Sequence, residues 1–176
     1  MSRTLRPWTL TDVSEFHDGV IESEKHLAPF MPWAHASAAL SLEERIPFIQ
    51  KWIDDLADST DFHYGYFEGD RFLAVIGLHP RIGPGGLEIG YWCRASEARK
   101  GYTTAAVIEA MKIAFSMPNV THLEIKHDLA NIPSGRIPLR LGFTKIAEED
   151  REIQAASETG RGNVWRLTKA EYLQNF

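Results

Sequence analysis

Two adjacent cations and a glycine, Arg99, Lys100 and Gly101, stand between a short aliphatic and aromatic run, residues 87–93, and a segment from Tyr102 whose apolar residues recur at helical spacing. The order is strand, basic turn, helix start. The first amides of a helix lack an intrahelical partner and lie at the positive end of its dipole, so a turn that adds two charges there suits a pyrophosphate. In the same stretch Glu88 could draw a proton from an amine, directly or through a water. As a structural residue the same carboxylate would fix the strand or a neighbouring loop, and the sequence leaves both readings open. Further on, Asn131 and Ser134 open a short helix, where each can serve as a cap or face a ligand.

Other reactive residues carry less. Cys93 has no histidine near it in sequence to activate it and reads as a small buried side chain. The seven histidines show no H-x-x-x-H or similar spacing, so no metal site is expected. The glycines of residues 82–86, IGPGG, lack a following Lys-Ser/Thr pair and precede a strand, which makes them hairpin residues and not a phosphate loop.

These groups must be held by a mixed set of elements. A strand is predicted over residues 4–7, followed by a helix with Thr11 as N-cap and an apolar stripe of Val13, Phe16, Val20 and Ile21. Residues 26–34, HLAPFMPWA, hold two prolines among large apolar residues, which forbids a long helix. Phe30, Met31 and Trp33 in that loop suit either core packing or the wall of a binding site. Ser41 and Glu44 spell a capping box for a helix to about Leu56, with Ile46, Ile49, Ile53 and Leu56 on one face and Pro47 as the residue against it. Two strands, 63–68 and 72–79, join at Gly69-Asp70, and the strand 87–93 follows. After the helix that ends before Pro118 come a strand at 121–127, a helix stopping near Gly142 despite Pro138, and strands at 143–147 and 163–167. A polar segment, 148–162, separates the last two, and Thr168 with Glu171 forms another capping box. This succession is a mixed α+β layer.

Composition narrows the class. The 176 residues fit one domain, 1–176, that buries most of its apolar surface unaided, and 44% hydrophobic with 24% charged residues argues against disorder. A net charge of -5 gives no electrostatic footprint for nucleic acid. One cysteine excludes an intramolecular disulfide and suits a reducing cytoplasm. No apolar run approaches the ~20 residues of a membrane helix, and the N-terminus lacks the apolar core of a signal peptide, so no membrane association is expected.

The element order, with Glu-Ile-Gly-Tyr-Trp at 88–92 ahead of the basic turn, resembles the GNAT superfamily of acetyl-CoA-dependent N-acetyltransferases over nearly the whole chain. In that family the pyrophosphate loop follows Q/R-x-x-G-x-G/A. The corresponding positions are Ala98, Gly101 and Thr103, where the central glycine agrees and Arg99 and Lys100 supply charge instead of the family's polar side chain. Asn131, Ser134, Arg136, Ile137, Arg140, Leu141, Gly142 and Phe143 resemble N-x-x-S-x-R-V-x-x-K-L-G-F of the branch that includes the RimJ/RimL-type ribosomal-protein N-acetyltransferases. Residues 31–34, MPWA, are similar to that branch's substrate-side loop.

The resemblance implies a mostly antiparallel central sheet flanked by helices and splayed between its fourth and fifth strands. Acetyl-CoA is then the co-substrate, with no metal, and its acetyl group passes to a primary amine by direct attack in a ternary complex. Backbone amides at Tyr91, Trp92 and Cys93 would face the thioester, Arg99, Lys100, Gly101, Tyr102, Thr103 and Thr104 would hold the pyrophosphate, and Asn131 the pantetheine. The family's tyrosine acid falls on Pro138, which leaves Ser134 to face the sulfur, with Glu88 as base and Phe30 and Trp33 as acceptor walls. The acceptor would be a protein N-terminal amine or a small amine such as a polyamine, amino acid or drug. A CoA-binding module without catalysis is the rival of another class. A monomer or homodimer is expected.

Overall fold

A computed structural model describes residues 2–175. Seven strands form one sheet in the order β1-β2-β3-β4-β5-β7-β6. They are β1 (Arg3–Pro7), β2 (Phe62–Glu68), β3 (Arg71–His79), β4 (Gly86–Cys93), β5 (His122–Asp128), β6 (Thr144–Asp150) and β7 (Arg161–Thr168). Every pairing is antiparallel except β4 with β5, which runs parallel and joins only Gly86–Glu88 to His122–Glu124. Beyond Glu88, β4 keeps β3 on one edge through Cys93 while the edge toward β5 has no strand partner among the described residues. That is the splay the family resemblance implies.

Helices cover both faces: α1 (Val13–Leu27), α2 (Ala34–Ala38), α3 (Leu42–Ala57), α4 (Tyr102–Ser116), α5 (Ile132–Arg140) and α6 (Lys169–Asn175). Strand alternation divides the apolar residues between two cores. Leu73, Ile76, Leu78, Leu87 and Ile89 pack against Val107, Met111 and Phe115 of α4, while Phe67, Phe72 and Val75 pack against Phe16 and Val20 of α1 and Ile49 of α3.

Several local expectations shift. Thr11 is not the cap of the first helix. Asp12 is, and Thr9 caps the single 3-10 turn, Leu10–Asp12, that precedes α1: the Thr9 backbone N–H and hydroxyl both donate to Asp12, and Arg6 grips the same carboxylate through two bonds of 2.8 Å. Ile21 lies on the outer face, half exposed, where Ser23 and Leu27 continue the buried stripe instead. In α3 the Ser41–Glu44 box forms in both directions and Pro47 is accommodated within the helix. Ile46 points outward, however, and Arg45 takes the inward position with only 1% of its surface exposed. Its guanidinium donates to His17 Nδ1 at 2.8 Å, to the Ser37 hydroxyl at 3.2 Å and to the Ser37 carbonyl at 2.5 Å, which ties α1, α2 and α3 together.

The helix α5 runs through Pro138 and ends in a Schellman motif: Gly142 adopts a left-handed φ of 75°, and Phe143 N–H donates to Pro138 O at 3.0 Å. The strands at the end are longer than expected, β6 reaching Asp150, and an irregularity between Lys145 and Ala147 leaves Ile146 outside the ladder. Thr168 and Glu171 form their capping box at the start of α6. No helix among the described residues is long and apolar enough to cross a membrane.

Candidate active site

Two cavities lie on either side of the point where β4 and β5 part. One, of about 550 Å³, is lined by the end of β4, residues 97–99 and 101–104, and α5; the other, of about 630 Å³, opens over β2, β3 and β4 beneath the loop after α1. Phe30, Met31, Tyr91, Trp92, Asn131 and Ser134 line both. A reaction between a group in each cavity would therefore take place at these residues.

The first cavity contains the basic turn. Gly101 caps α4 with a left-handed φ of 83°, and a Cβ there would meet nothing within 4 Å, so the backbone faces open space at the positive end of the helix. Arg99 shares the left-handed region at φ 65° and lines the cavity, with no hydrogen bond or ion pair among the described residues. Lys100 is committed elsewhere, its Nζ donating to Glu97 at 2.9 Å. Arg136 and Arg140 of α5 bring further positive charge to the wall.

The turn is anchored from α1. Buried Arg94 bonds to Glu15 and, at 2.6 Å, to Glu22; Glu22 also accepts from Ser96 N at 2.9 Å, and Ser23 accepts from Ala95 N at 3.0 Å. Burial alone would raise the Glu22 pKa, but bonds from Ser96 and Arg94 outweigh it and hold the carboxyl at about 2. Cys93 opens on the same cavity with its sulfur 3.9 Å from His26 Nε2, a neighbour that sequence distance concealed. Burial nonetheless pushes the thiol pKa up, which opposes a nucleophilic thiolate.

At the junction the Tyr91 hydroxyl donates to Ser134 O at 2.9 Å and accepts from the Ser134 hydroxyl at 3.1 Å. Burial drives the phenol pKa far above its ordinary value, so it stays protonated. Of the two cap candidates, Asn131 is the N-cap of α5 and accepts from Ser134 N at 3.3 Å. The Ser134 hydroxyl is thereby left for Tyr91.

The second cavity has a polar floor made by strand register. Asp61 precedes β2, His79 pairs with Glu88, His63 pairs with Gly77, and Gly77 pairs with Gly90. Glu88 receives Arg81 at 2.5 Å and is 14% exposed. Asp61 uses one oxygen for His79 Nδ1 at 2.7 Å and the other for His63 Nε2 at 3.1 Å. Burial alone would raise the Asp61 pKa, but the two imidazoles hold it below the ordinary carboxylate value. Burial holds His63 below the ordinary histidine value against the pull of Asp61. One donor atom from each of these three residues lies within 4.8 Å of the others, close enough for a metal ion, though hydrogen bonding already engages them.

The walls are aromatic. Trp33 packs on Trp92 at 5.8 Å, and Trp52 stacks on His63 at 4.5 Å and 11°. Phe30 and Trp33, read from sequence as either core or wall, line this cavity, and Phe30 reaches the first as well. The polar segment after β6 closes the far side with Arg151, Gln154 and Glu158, and Ser157 N donates to Pro29 O at 3.0 Å, linking it to the loop after α1. Its composition had marked it only as a connection.

The family model described as "Acetyltransferase (GNAT) domain" matches residues 3–144. Among solved structures, RimL, a ribosomal L7/L12 alpha-N-protein acetyltransferase in complex with coenzyme A, superposes with a TM-score of 0.86 at 18% identity, covering 97% of this chain and 96% of that one. The ribosomal-protein-S5-alanine acetyltransferase from Vibrio fischeri gives 0.84 at 16% identity over 98% and 96% of the two chains. The microcin C7 self-immunity acetyltransferase MccE, in complex with acetyl-CoA and AMP, gives 0.84 at 17% identity over 94% and 92%. Comparison with curated protein sequences returns no match. At these identities the structures speak for the fold, while the family model spans most of the sequence: the chain belongs to the GNAT acetyltransferase family.

Proposed function

We propose that this acetyltransferase moves an acetyl group from acetyl-CoA, held in the first cavity, to a primary amine presented through the second, with a protein N-terminal amine as the leading acceptor. The observation that carries this reading is the meeting of the two cavities at Tyr91 and Ser134, beside the unpaired edge of β4. The pantetheine fits along that edge as an added strand, capped by Asn131, with the pyrophosphate at Gly101 to Thr104 and Arg99 beside it.

The amine nitrogen attacks the thioester carbon, and the oxyanion that forms is stabilised by backbone amides of residues 91–93. Collapse breaks the carbon–sulfur bond. The departing thiolate takes its proton from the Ser134 hydroxyl, which turns from its bond to the Tyr91 oxygen to deliver it and is reprotonated from solvent; the protonated Tyr91 phenol orients the serine. Glu88, half-buried and paired with Arg81, stands on β4 at the floor of the acceptor cavity, where it can accept a hydrogen bond from the incoming amine. Phe30 and Trp33 wall the acceptor.

A small amine is the second reading. It is favoured by the size of the acceptor cavity, about 630 Å³, which lies in the range that holds small ligands. Similarity to the ribosomal-protein enzymes favours the protein terminus. A cytoplasmic setting suits the free thiol of Cys93 and a CoA-dependent reaction.

The test is release of CoA thiol in the presence of free-amino peptides, the same peptides N-acetylated, and a panel of polyamines, amino acids and amine drugs. Release with free-amino peptides alone is the expected result; release only with small amines overturns the protein-terminus assignment. Acetyl-CoA binding without release from any amine would identify a binding module instead.

A further inference from the structure

We propose that His79, oriented by Asp61, is the base that takes the proton from the acceptor amine. This rests on the acetyl-transfer reading above and names the group that its proton step requires.

The Asp61 carboxylate is an acceptor only, so its bond to His79 Nδ1 at 2.7 Å places the ring proton on Nδ1 and leaves the Nε2 lone pair free in the neutral imidazole. Among the described residues Nε2 makes no hydrogen bond, and the side chain, 16% exposed, lines the acceptor cavity. The ring leans along the sheet over two paired glycines. A Cβ on Gly77 would stand 2.3 Å from Nε2, and one on Gly90 would stand 3.2 Å away. Bare backbone at both positions therefore lets Nε2 lie flat on the sheet, beside the residue that precedes Tyr91.

The surrounding charges support this division of labour. Glu88, on the adjacent strand, is already engaged by Arg81 at one carboxylate oxygen, whereas His79 Nε2 has no partner among the described residues. His63 is stacked on Trp52 of α3 and donates to the second oxygen of Asp61, which fixes the carboxylate plane. On α3, Asp55 is taken by Lys51, and Lys126 and Arg151 stand on the far wall of the cavity. His79 is the catalytic residue in this scheme, and Asp61 and His63 position it. The amine proton passes to Nε2 as the nitrogen–carbon bond forms, and leaves to solvent after the acetylated product departs. No oxidant or metal enters the balance.

The test uses the full chain, acetyl-CoA and a free-amino alanyl-serine tetrapeptide amide, with polyamines as the alternative acceptor. His79→Gln is expected to lower kcat by about 100-fold to 10,000-fold, the range of a lost general base, and to remove an ascending limb from the pH–rate profile. Its affinity for acetyl-CoA should stay within about twofold, since His79 does not line the first cavity. Nitrogen-15 NMR of the unaltered chain should show the Nδ1–H tautomer for neutral His79, and Asp61→Asn should mix the tautomers and lower kcat. A His79→Gln enzyme with unchanged kcat and pH profile, or an Nε2–H tautomer in the unaltered chain, overturns the assignment. Absence of CoA release by the unaltered chain is a separate result: it overturns the acetyl-transfer reading, and the tautomer then decides whether His79 is built to accept a proton at Nε2.

Discussion

The Ser134 hydroxyl donates to the Tyr91 hydroxyl at 3.1 Å, and the Tyr91 hydroxyl in turn donates to the Ser134 backbone carbonyl at 2.9 Å. One residue sits on the strand that splays and the other on α5, so the pair spans the opening where the two cavities meet. These two bonds fix the Ser134 hydroxyl at the junction, from which it can turn to a departing thiolate.

Tyr91→Phe removes the second donor while keeping the ring. Its kcat should fall about 10-fold to 100-fold, less than the full effect of a lost acid because Ser134 remains, with the acetyl-CoA dissociation constant little changed. Steady-state kinetics with a binding titration separates the two; an equal loss in affinity and no loss in kcat would make the pair purely structural.

Arg99 and Lys100 are adjacent cations in unequal circumstances. Lys100 is bound to Glu97, whereas Arg99 lines the first cavity with its guanidinium unengaged among the described residues. Calorimetric titration with acetyl-CoA should find Arg99→Ala weakened about fivefold to tenfold, roughly 1 kcal/mol, and Lys100→Ala weakened less. The opposite ranking would place the pyrophosphate elsewhere.

Gly77→Ala probes the His79 seat without replacing a titratable group. The atom a new methyl would meet is the mobile end of the His79 ring, 2.3 Å away, so the ring swings aside and the fold survives. Thermal melting should change by only a few degrees while kcat drops at least tenfold. Retained activity would mean that the ring's position over the glycines has no part in turnover.

Acid stability should depend on Glu22. Its carboxyl lies at about 2 in the fold against an ordinary 4.5, because bonds from Ser96 and Arg94 outweigh its burial. A lowered folded-state pKa contributes stability that is complete above the unfolded value and disappears as pH falls through the folded one. Melting temperature should therefore decline from about pH 5 toward pH 2, and Glu22→Gln should flatten that slope while lowering stability at neutral pH. A variant with the same slope as the parent would remove Glu22 from the acid response.

The framework was readable where a local signal and its partner are close in sequence. The Ser41–Glu44 box, the Gly142 stop and the Gly69-Asp70 hairpin each need only a few neighbouring residues, and each appears as expected. Thr11 falls inside a 3-10 turn that Thr9 caps, and Asp12 caps the helix, a variation of one or two residues that periodicity does not resolve. Arg45 was hidden for another reason. A cation is expected on the outer face, and only the packing of three helices supplies His17 and Ser37 as its partners. The acceptor side of the site was least legible. Asp61, His63 and His79 meet through the register of a hairpin, His26 reaches Cys93 through the fold, and the polar segment 151–160 becomes a wall only by docking on the loop after α1.

Acetyl transfer at the Tyr91–Ser134 junction is tested most directly by mass spectrometry of the acceptor after incubation with acetyl-CoA and the chain. A free-amino peptide or small amine should gain one acetyl group in step with CoA release, and Ser134→Ala should slow both together. Acetyl-CoA that binds and protects the fold from melting, yet leaves every amine unmodified, would contradict it.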